Sequence, residues 1–221
     1  MLILLLFLIL IVGIGLLLSR QMNQQVDLLD EDFLEKDRIR YQKTPDKAIA
    51  FGAEMQWLAI KAEQPELVAA SLELTDLEMV NWSYGLAKAC ENHVFLSPNI
   101  DGWVLAVGWG LGDFSKKTAK LEELSRTHDE AQFFLNHEGV HTYAYICYVD
   151  GEIKRYFYCE EGEVLKDVGE ATDAESSLEL NPPYGGFVMQ VAAEWSINPS
   201  ELNTEKYANV YGLGLVGYMR P

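Results

Sequence analysis

Asp101-Gly102-Trp103-Val104-Leu105-Ala106-Val107-Gly108-Trp109 decides the fold class. Asp101-Gly102 is a turn dipeptide of the hairpin type, and the run after it alternates two apolar sets. Trp103, Leu105, Val107 and Trp109 fall on one face, with Val104, Ala106 and Gly108 on the other. A strand apolar on both faces belongs in the middle of a sheet.

Working outward, His93 to Leu96 predicts the preceding strand and Gln56 to Lys61 an earlier one. Between these two, Pro65 opens a helix with Leu67, Val68, Ser71 and Leu72 on one face, and a second short helix runs from Trp82 to Cys90. Downstream, Ser115 is placed to cap a helix reaching about Thr127, with Leu121 and Leu124 inward. Gln132 to Leu135 is the next strand. The order is β-α-β-β-α-β, the ferredoxin-like pattern. A hairpin extends it: Thr142 to Val149, the turn Asp150-Gly151, then Glu152 to Cys159. A helix from Phe187 to Trp195 and a glycine-rich last strand complete an α+β reading.

Leu2 to Leu18 contains no charged residue, and at about 1.5 Å per residue this run reaches roughly 25 Å, close to a hydrocarbon core of about 30 Å. No basic n-region precedes it and Leu18-Ser19-Arg20-Gln21 offers no small-x-small cleavage site, so an uncleaved anchor is expected rather than a signal peptide. Arg20, Lys36, Arg38 and Arg40 lie on its C-terminal side, which predicts a single-pass inner-membrane protein with its bulk in the cytoplasm. The expected division is a transmembrane helix at 1–19, a partly helical juxtamembrane stalk at 20–47 and one acidic globular domain at 48–221. Cys90, Cys147 and Cys159 form an odd, sparse set, which suits reduced thiols. Cys90 is expected as a buried structural thiol. Cys147 and Cys159 fall on opposite hairpin faces in the register of a two-residue turn.

The net charge of −17 repels nucleic acid and anionic lipid headgroups, which leaves two natural readings, a basic protein partner or solubility alone. Tyr143, Tyr145, Tyr156 and Tyr158 would share one hairpin face, as core or as an aromatic platform for that partner.

Two motifs invite a catalytic reading. His137-Glu138-Gly139-Val140-His141 matches H-E-x-x-H of the zinc peptidases. On a helix, residues i and i+4 lie about 6 Å apart and can share a zinc. On a strand the same spacing spreads them over about 13 Å. Gly139 and the β-forming run from Thr142 favour strand and turn, so no metal or other cofactor is assigned, and a peptidase using His137, Glu138 and His141 stands as the alternative. Gly212-x-Gly214-x-x-Gly217 matches a dinucleotide fingerprint, but the motif needs a helix opening at its third glycine, and only four residues follow. A packed or flexible strand is expected instead.

Trp57-Leu58-Ala59-Ile60-Lys61, Asn81-Trp82, Val94-Phe95-Leu96-Ser97-Pro98, Asp101-Gly102-Trp103-Val104 and Trp195-Ser196-Ile197-Asn198-Pro199 together resemble a family of uncharacterised bacterial proteins, over roughly Ala48 to Leu202. The resemblance implies one compact domain and brings no activity, cofactor or catalytic residue. The sequence therefore points to a membrane-tethered, non-enzymatic interaction domain, of immunity, antitoxin or regulatory type.

Overall fold

The computed structural model describes residues 35–176 and 185–219. Met1–Ser19, with its expected anchor, lies outside the described residues. Among the described residues no helix is long and apolar enough to cross a membrane. The chain divides into Met1–Gln42 and Lys43–Pro221. In the first unit residues 35–42 are helical, with Glu35 paired to Arg38 one turn on at 2.6 Å.

The second unit is α+β, built on a ten-stranded sheet whose named strands all pair antiparallel. The strands are β1 (Asp46–Lys47), β2 (Met55–Lys61), β3 (Leu74–Asn81), β4 (Val94–Leu96), β5 (Trp103–Val107), β6 (Glu130–His137), β7 (Thr142–Val149), β8 (Glu152–Glu160), β9 (Glu163–Val168) and β10 (Tyr211–Met219). They lie in the order β1-β10-β4-β5-β2-β6-β7-β8-β9, with β3 beside β10. The helices are α1 (Pro65–Ser71), α2 (Trp82–Ala89), α3 (Thr118–His128), α4 (Asp173–Ser176) and α5 (Gly185–Trp195).

Both faces of the sheet are covered. On one, Trp57, Ala59, Leu105, Val107 and Phe134 pack against Trp82 of α2 and against Phe187, Val188, Val191 and Ala192 of α5. Trp57 stacks on Phe134 at 5.1 Å. On the other, Leu58, Ile60, Val104, Ala106 and Phe133 meet Val68 and Ala69 of α1 and Leu121 and Leu124 of α3. Each Val, Leu, Ile or Phe among these contributes about 1.5–3 kcal/mol on burial. Helix α2 is fixed at its start by two carbonyl-type acceptors. Asn81 accepts from the Tyr84 N–H at 3.0 Å, and the Asp46 carboxylate accepts from Trp82 N at 2.7 Å and Ser83 N at 3.0 Å.

Several expectations change. Strand β3 is unforeseen: its apolar positions do not alternate, and Asp76 has φ +52°. In α1, Leu67 points outward and Val68, Ala69 and Leu72 carry the contact. Ser115 does not cap α3. It lies in a 3-10 turn, Phe114–Lys116, where its hydroxyl donates to Asp113, and α3 starts at Thr118 without a side-chain cap. Cys90 is exposed just past the end of α2. The last strand β10 is packed inside the sheet, where a Cβ on Gly214 would meet the Leu96 carbonyl oxygen at 2.1 Å. Its glycines are there so that backbone and the Phe95 ring can approach.

The β7–β8 hairpin turns at Asp150-Gly151 with φ +52° and +80°, the two positive values of a type I′ turn. A bulge between Cys147 and Tyr148 then shifts the register, so that Cys147 faces Arg155 and Tyr143 faces Cys159. One extra residue exchanges faces for everything beyond it. Tyr143 and Tyr145 therefore enter one core with Phe157 and Cys159, while Tyr156 enters the other with Tyr158 packed against it. The tyrosines do not share a face, and Cys147 and Cys159, both free, lie on the same side of the hairpin.

Arg155 is the buried charge of this hairpin. Its guanidinium donates to Glu175 of α4 at 2.5–3.0 Å, to Asp167 of β9 and to the Val168 carbonyl at 3.0 Å. Tyr145 donates its hydroxyl to the same Glu175 at 2.9 Å, and Thr172 donates its backbone N–H at 3.0 Å. Burial pushes the Glu175 carboxyl up, but Arg155 together with Thr172 and Tyr145 outweighs it and holds the group below its usual range. Removing one partner of a buried pair costs about 3–5 kcal/mol. With Asp167 still bound, Glu175→Ala is expected at the lower end, about 3 kcal/mol in urea denaturation. A carboxyl depressed in the fold adds stability above its unfolded pKa and loses it as pH falls through the folded one. The native protein should therefore weaken below about pH 4.5, and Glu175→Ala should flatten that decline.

Candidate functional site

Apolar side chains cover the second face of the sheet from Ile60 and Leu58 on β2 down to Gln56, where the run ends. The same end of the sheet brings Leu135 and His137 from β6 and Tyr158 and Glu160 from β8. The opposite wall is the segment after β5. Gly108 has φ +133°, and a Cβ there would meet the His93 carbonyl oxygen at 2.4 Å. The chain leaves the strand at this point and enters a 3-10 turn, Trp109–Leu111. Trp109 is thereby turned away from Leu105 and Val107 and packs on the second face instead. The expected strand to Trp109 is corrected accordingly: it ends at Val107.

Side-chain hydrogen bonds to backbone carbonyls hold this wall in place. Gln56 donates its amide to the carbonyls of Gly112 at 3.0 Å and Gly108 at 3.3 Å, Lys117 donates to Leu111 O at 2.9 Å, and Tyr156 donates to Ser115 O at 2.6 Å. Leu111 and Phe114 are fully buried beneath it. The result is a cleft of about 270 Å³ lined by Gln56, Trp109, Gly112, Asp113, Lys116, Leu135, His137, Tyr158 and Glu160.

Its electrostatics are those of carboxylates beside aromatic rings. Lys116 lies 2.7 Å from Asp113 at the mouth. Burial pushes Asp113 up, while hydrogen bonds from Lys116 and Ser115 more than offset this and leave it below its usual range. Burial and then the neighbouring Glu160 push the Tyr158 phenol up to about 12, so it remains a neutral donor. The His137 ring sits 5.4 Å from Trp109 with Nε2 3.1 Å from a Glu54 oxygen. The other Glu54 oxygen accepts the Gly139 N–H at 2.9 Å.

His137 is the last residue of β6, Glu138–Val140 form a 3-10 turn, and His141 adopts the left-handed conformation before β7 begins. No α-helix presents the two imidazoles on one face, which is the geometry that the zinc-peptidase reading requires. Among the described residues no group of three or more His, Cys, Asp and Glu side chains is disposed to hold a metal ion. Of the tyrosines singled out in the sequence, Tyr143, Tyr145 and Tyr156 are buried and Tyr158 reaches the cleft. His128 bonds through Nε2 with the Ser71 hydroxyl at 2.8 Å, and His93 stacks on Tyr218 at 4.1 Å. Sequence reasoning missed Gln56, Trp109, Asp113, Lys116 and Glu160. The available signal was the alternation Gly108-x-Gly110-x-Gly112, which marks an irregular turn rather than a strand end.

The chain matches no family model, no curated protein and no solved structure. Its functional reading rests on this geometry. Protein purified after exposure to zinc is expected to hold well under one equivalent by elemental analysis; a full equivalent that disappears in His137→Ala would restore the peptidase reading.

Proposed function

We propose that this chain is a membrane-tethered, non-enzymatic bacterial interaction module that binds a basic protein partner, in the manner of an immunity protein, an antitoxin or a regulator. The observation that carries the proposal is the outer edge of β9, which is open among the described residues. All of Glu163–Val168 is exposed, with Val164, Leu165 and Val168 at 47%, 53% and 40%. Exposed apolar edge strands invite pairing with another chain, and proteins commonly blunt them. Here the apolar positions are bracketed by Glu161, Glu163 and Glu170, while Asp167 is paired with Arg155 and Lys166 is the one cation of the strand. An extended basic segment satisfies both demands at once: main-chain hydrogen bonds to β9 and side-chain complementarity to its acidic flanks. The net charge of −17 favours the same partner and accelerates its approach.

In this reading Met1–Ser19 is the tether, residues 20–47 are the stalk, and Arg20 with Lys36, Arg38 and Arg40 keeps the acidic domain on the cytoplasmic side of the inner membrane. We infer a ferredoxin-like centre for the domain. The sheet order β4-β5-β2-β6, with α1 and α3 on one face, supports it. Strand β3 and helix α2 would then be an insertion, and β7–β9 an extension.

The test is recovery of a partner from native membranes at low and high salt. A basic protein is expected whose retention falls at least about tenfold at high salt, ~1.4 kcal/mol. Leu165→Lys places a cation at an exposed position, where stability should change by no more than about 0.5 kcal/mol, and should abolish retention. A partner held equally by the variant, or recovery of none that responds to salt, would overturn the proposal.

A further inference from the structure

We propose that the cleft beneath Trp109 is a receptor for an organic cation, a guanidinium or primary ammonium group, carried either by a side chain of another protein or by a free small molecule. The inference stands apart from the β9 edge, since neither site uses a residue of the other. The cleft combines two aromatic residues, Trp109 and Tyr158, with two carboxylates, Asp113 and Glu160. Aromatic faces attract a cation through the ring quadrupole, and a carboxylate supplies the charge-assisted hydrogen bond.

The site already holds a cation of its own. The Lys116 ammonium lies 2.7 Å from Asp113, on a side chain 75% exposed. Exposed pairs of this kind are weak, so a better-fitted cation displaces Lys116 at little cost. The remaining basic group, His137, is turned to Glu54, so Glu160 has the Tyr158 phenol as its hydrogen-bond neighbour and feels Lys116 only at longer range. Gln56, only 4% exposed, has its amide nitrogen committed to Gly108 and Gly112. Its carbonyl oxygen is therefore the acceptor that remains for an incoming N–H. Size narrows the ligand: about 270 Å³ lies below the roughly 300–1,000 Å³ of pockets that enclose drug-sized molecules, so a head group enters and the rest of the ligand stays outside.

Binding is read by titration calorimetry and tryptophan fluorescence on the full-length chain in neutral detergent. The probes are agmatine, an uncharged-flank peptide containing a single arginine, and acetate and inorganic phosphate as anionic counterparts. Saturable binding of at least one cationic probe is expected, and none of the anions. Glu160→Gln should weaken the cation about tenfold, ~1.4 kcal/mol, and Lys116→Ala should tighten it by a similar factor. Both positions are exposed, so the fold is kept. Trp109→Phe should retain most of the affinity and Trp109→Leu should lose it. Agmatine and peptide binding alike identify a general cation site, peptide binding alone a side-chain receptor, and agmatine alone a small-molecule site; each supports the proposal. Binding of neither cation, preferential binding of phosphate or acetate, or weakening by Lys116→Ala would overturn it. Loss of partner retention in Leu165→Lys with cation binding intact separates this result from the edge-strand reading.

Discussion

The double-sided burial of β2 constrains the rest of the molecule. Trp57 and Ala59 on one face and Leu58 and Ile60 on the other are fully buried, so neither face of the sheet can be left to water. Helices are required on both sides, and the chain provides α2 and α5 against Trp57 and α1 and α3 against Leu58. The neighbours of β2 obey the same demand: β5 is apolar on both faces over the length that pairs with it, and β6 is buried on both, its polar Gln132 and Asn136 held by hydrogen bonds to Trp195 O and Gly52 O. Gln56 marks where this demand lapses on the second face. The cleft begins at that residue, because a buried amide there needs partners, and it finds them in the carbonyls of the Gly108–Gly112 turn.

A different solution holds the far side of the sheet. Strand β8 still enters both cores through Tyr156, Phe157 and Cys159, but β9 lies beyond their reach, and its attachment to α4 runs through Arg155. The guanidinium lies within 6 Å of the rings of Tyr145 and Phe157 and meets two carboxylates, so its desolvation is compensated on several sides. In a strongly acidic chain this is a sensible use of scarce cations. One arginine neutralises Glu175, which would otherwise resist burial, and ties α4 to β8 and β9.

Much of the fold was legible in local sequence. The Asp150-Gly151 hairpin, the strands around Trp57, Leu105 and Phe133, and the helix at Pro65 all carry signals that act over a few residues. What escaped was set by geometry at single residues or by distant pairing. The bulge at Cys147 exchanges the faces of Tyr156 and Tyr158, and no periodicity announces it. Gly108 turns Trp109 from one face to the other through a positive φ that leaves the apolar alternation intact. Strand β3 is held by β10, well over a hundred residues away, and its own apolar residues at Leu77 and Met79 face solvent. The cleft was illegible for the same reason: β2, β6 and β8 contribute one or two of its residues each and the segment from Trp109 to Lys116 four, and only the sheet order brings them together.

Charge alone does not locate a binding site on such a protein, because carboxylates are everywhere on its surface. Location comes from where a carboxylate meets something other than water. At the β8–β9 turn, Glu160 closes the cleft on one side while Glu161 and Glu163 open the free edge on the other. The hairpin therefore separates two kinds of recognition by a single turn: a walled site, where aromatic rings and a buried amide select the chemistry of a head group, and an exposed backbone edge, where pairing is limited by register and by the sign of the flanking charge. The first needs rigidity, which the buried Leu111 and Phe114 supply. The second needs an open strand edge, which β9 supplies on the side away from β8 among the described residues.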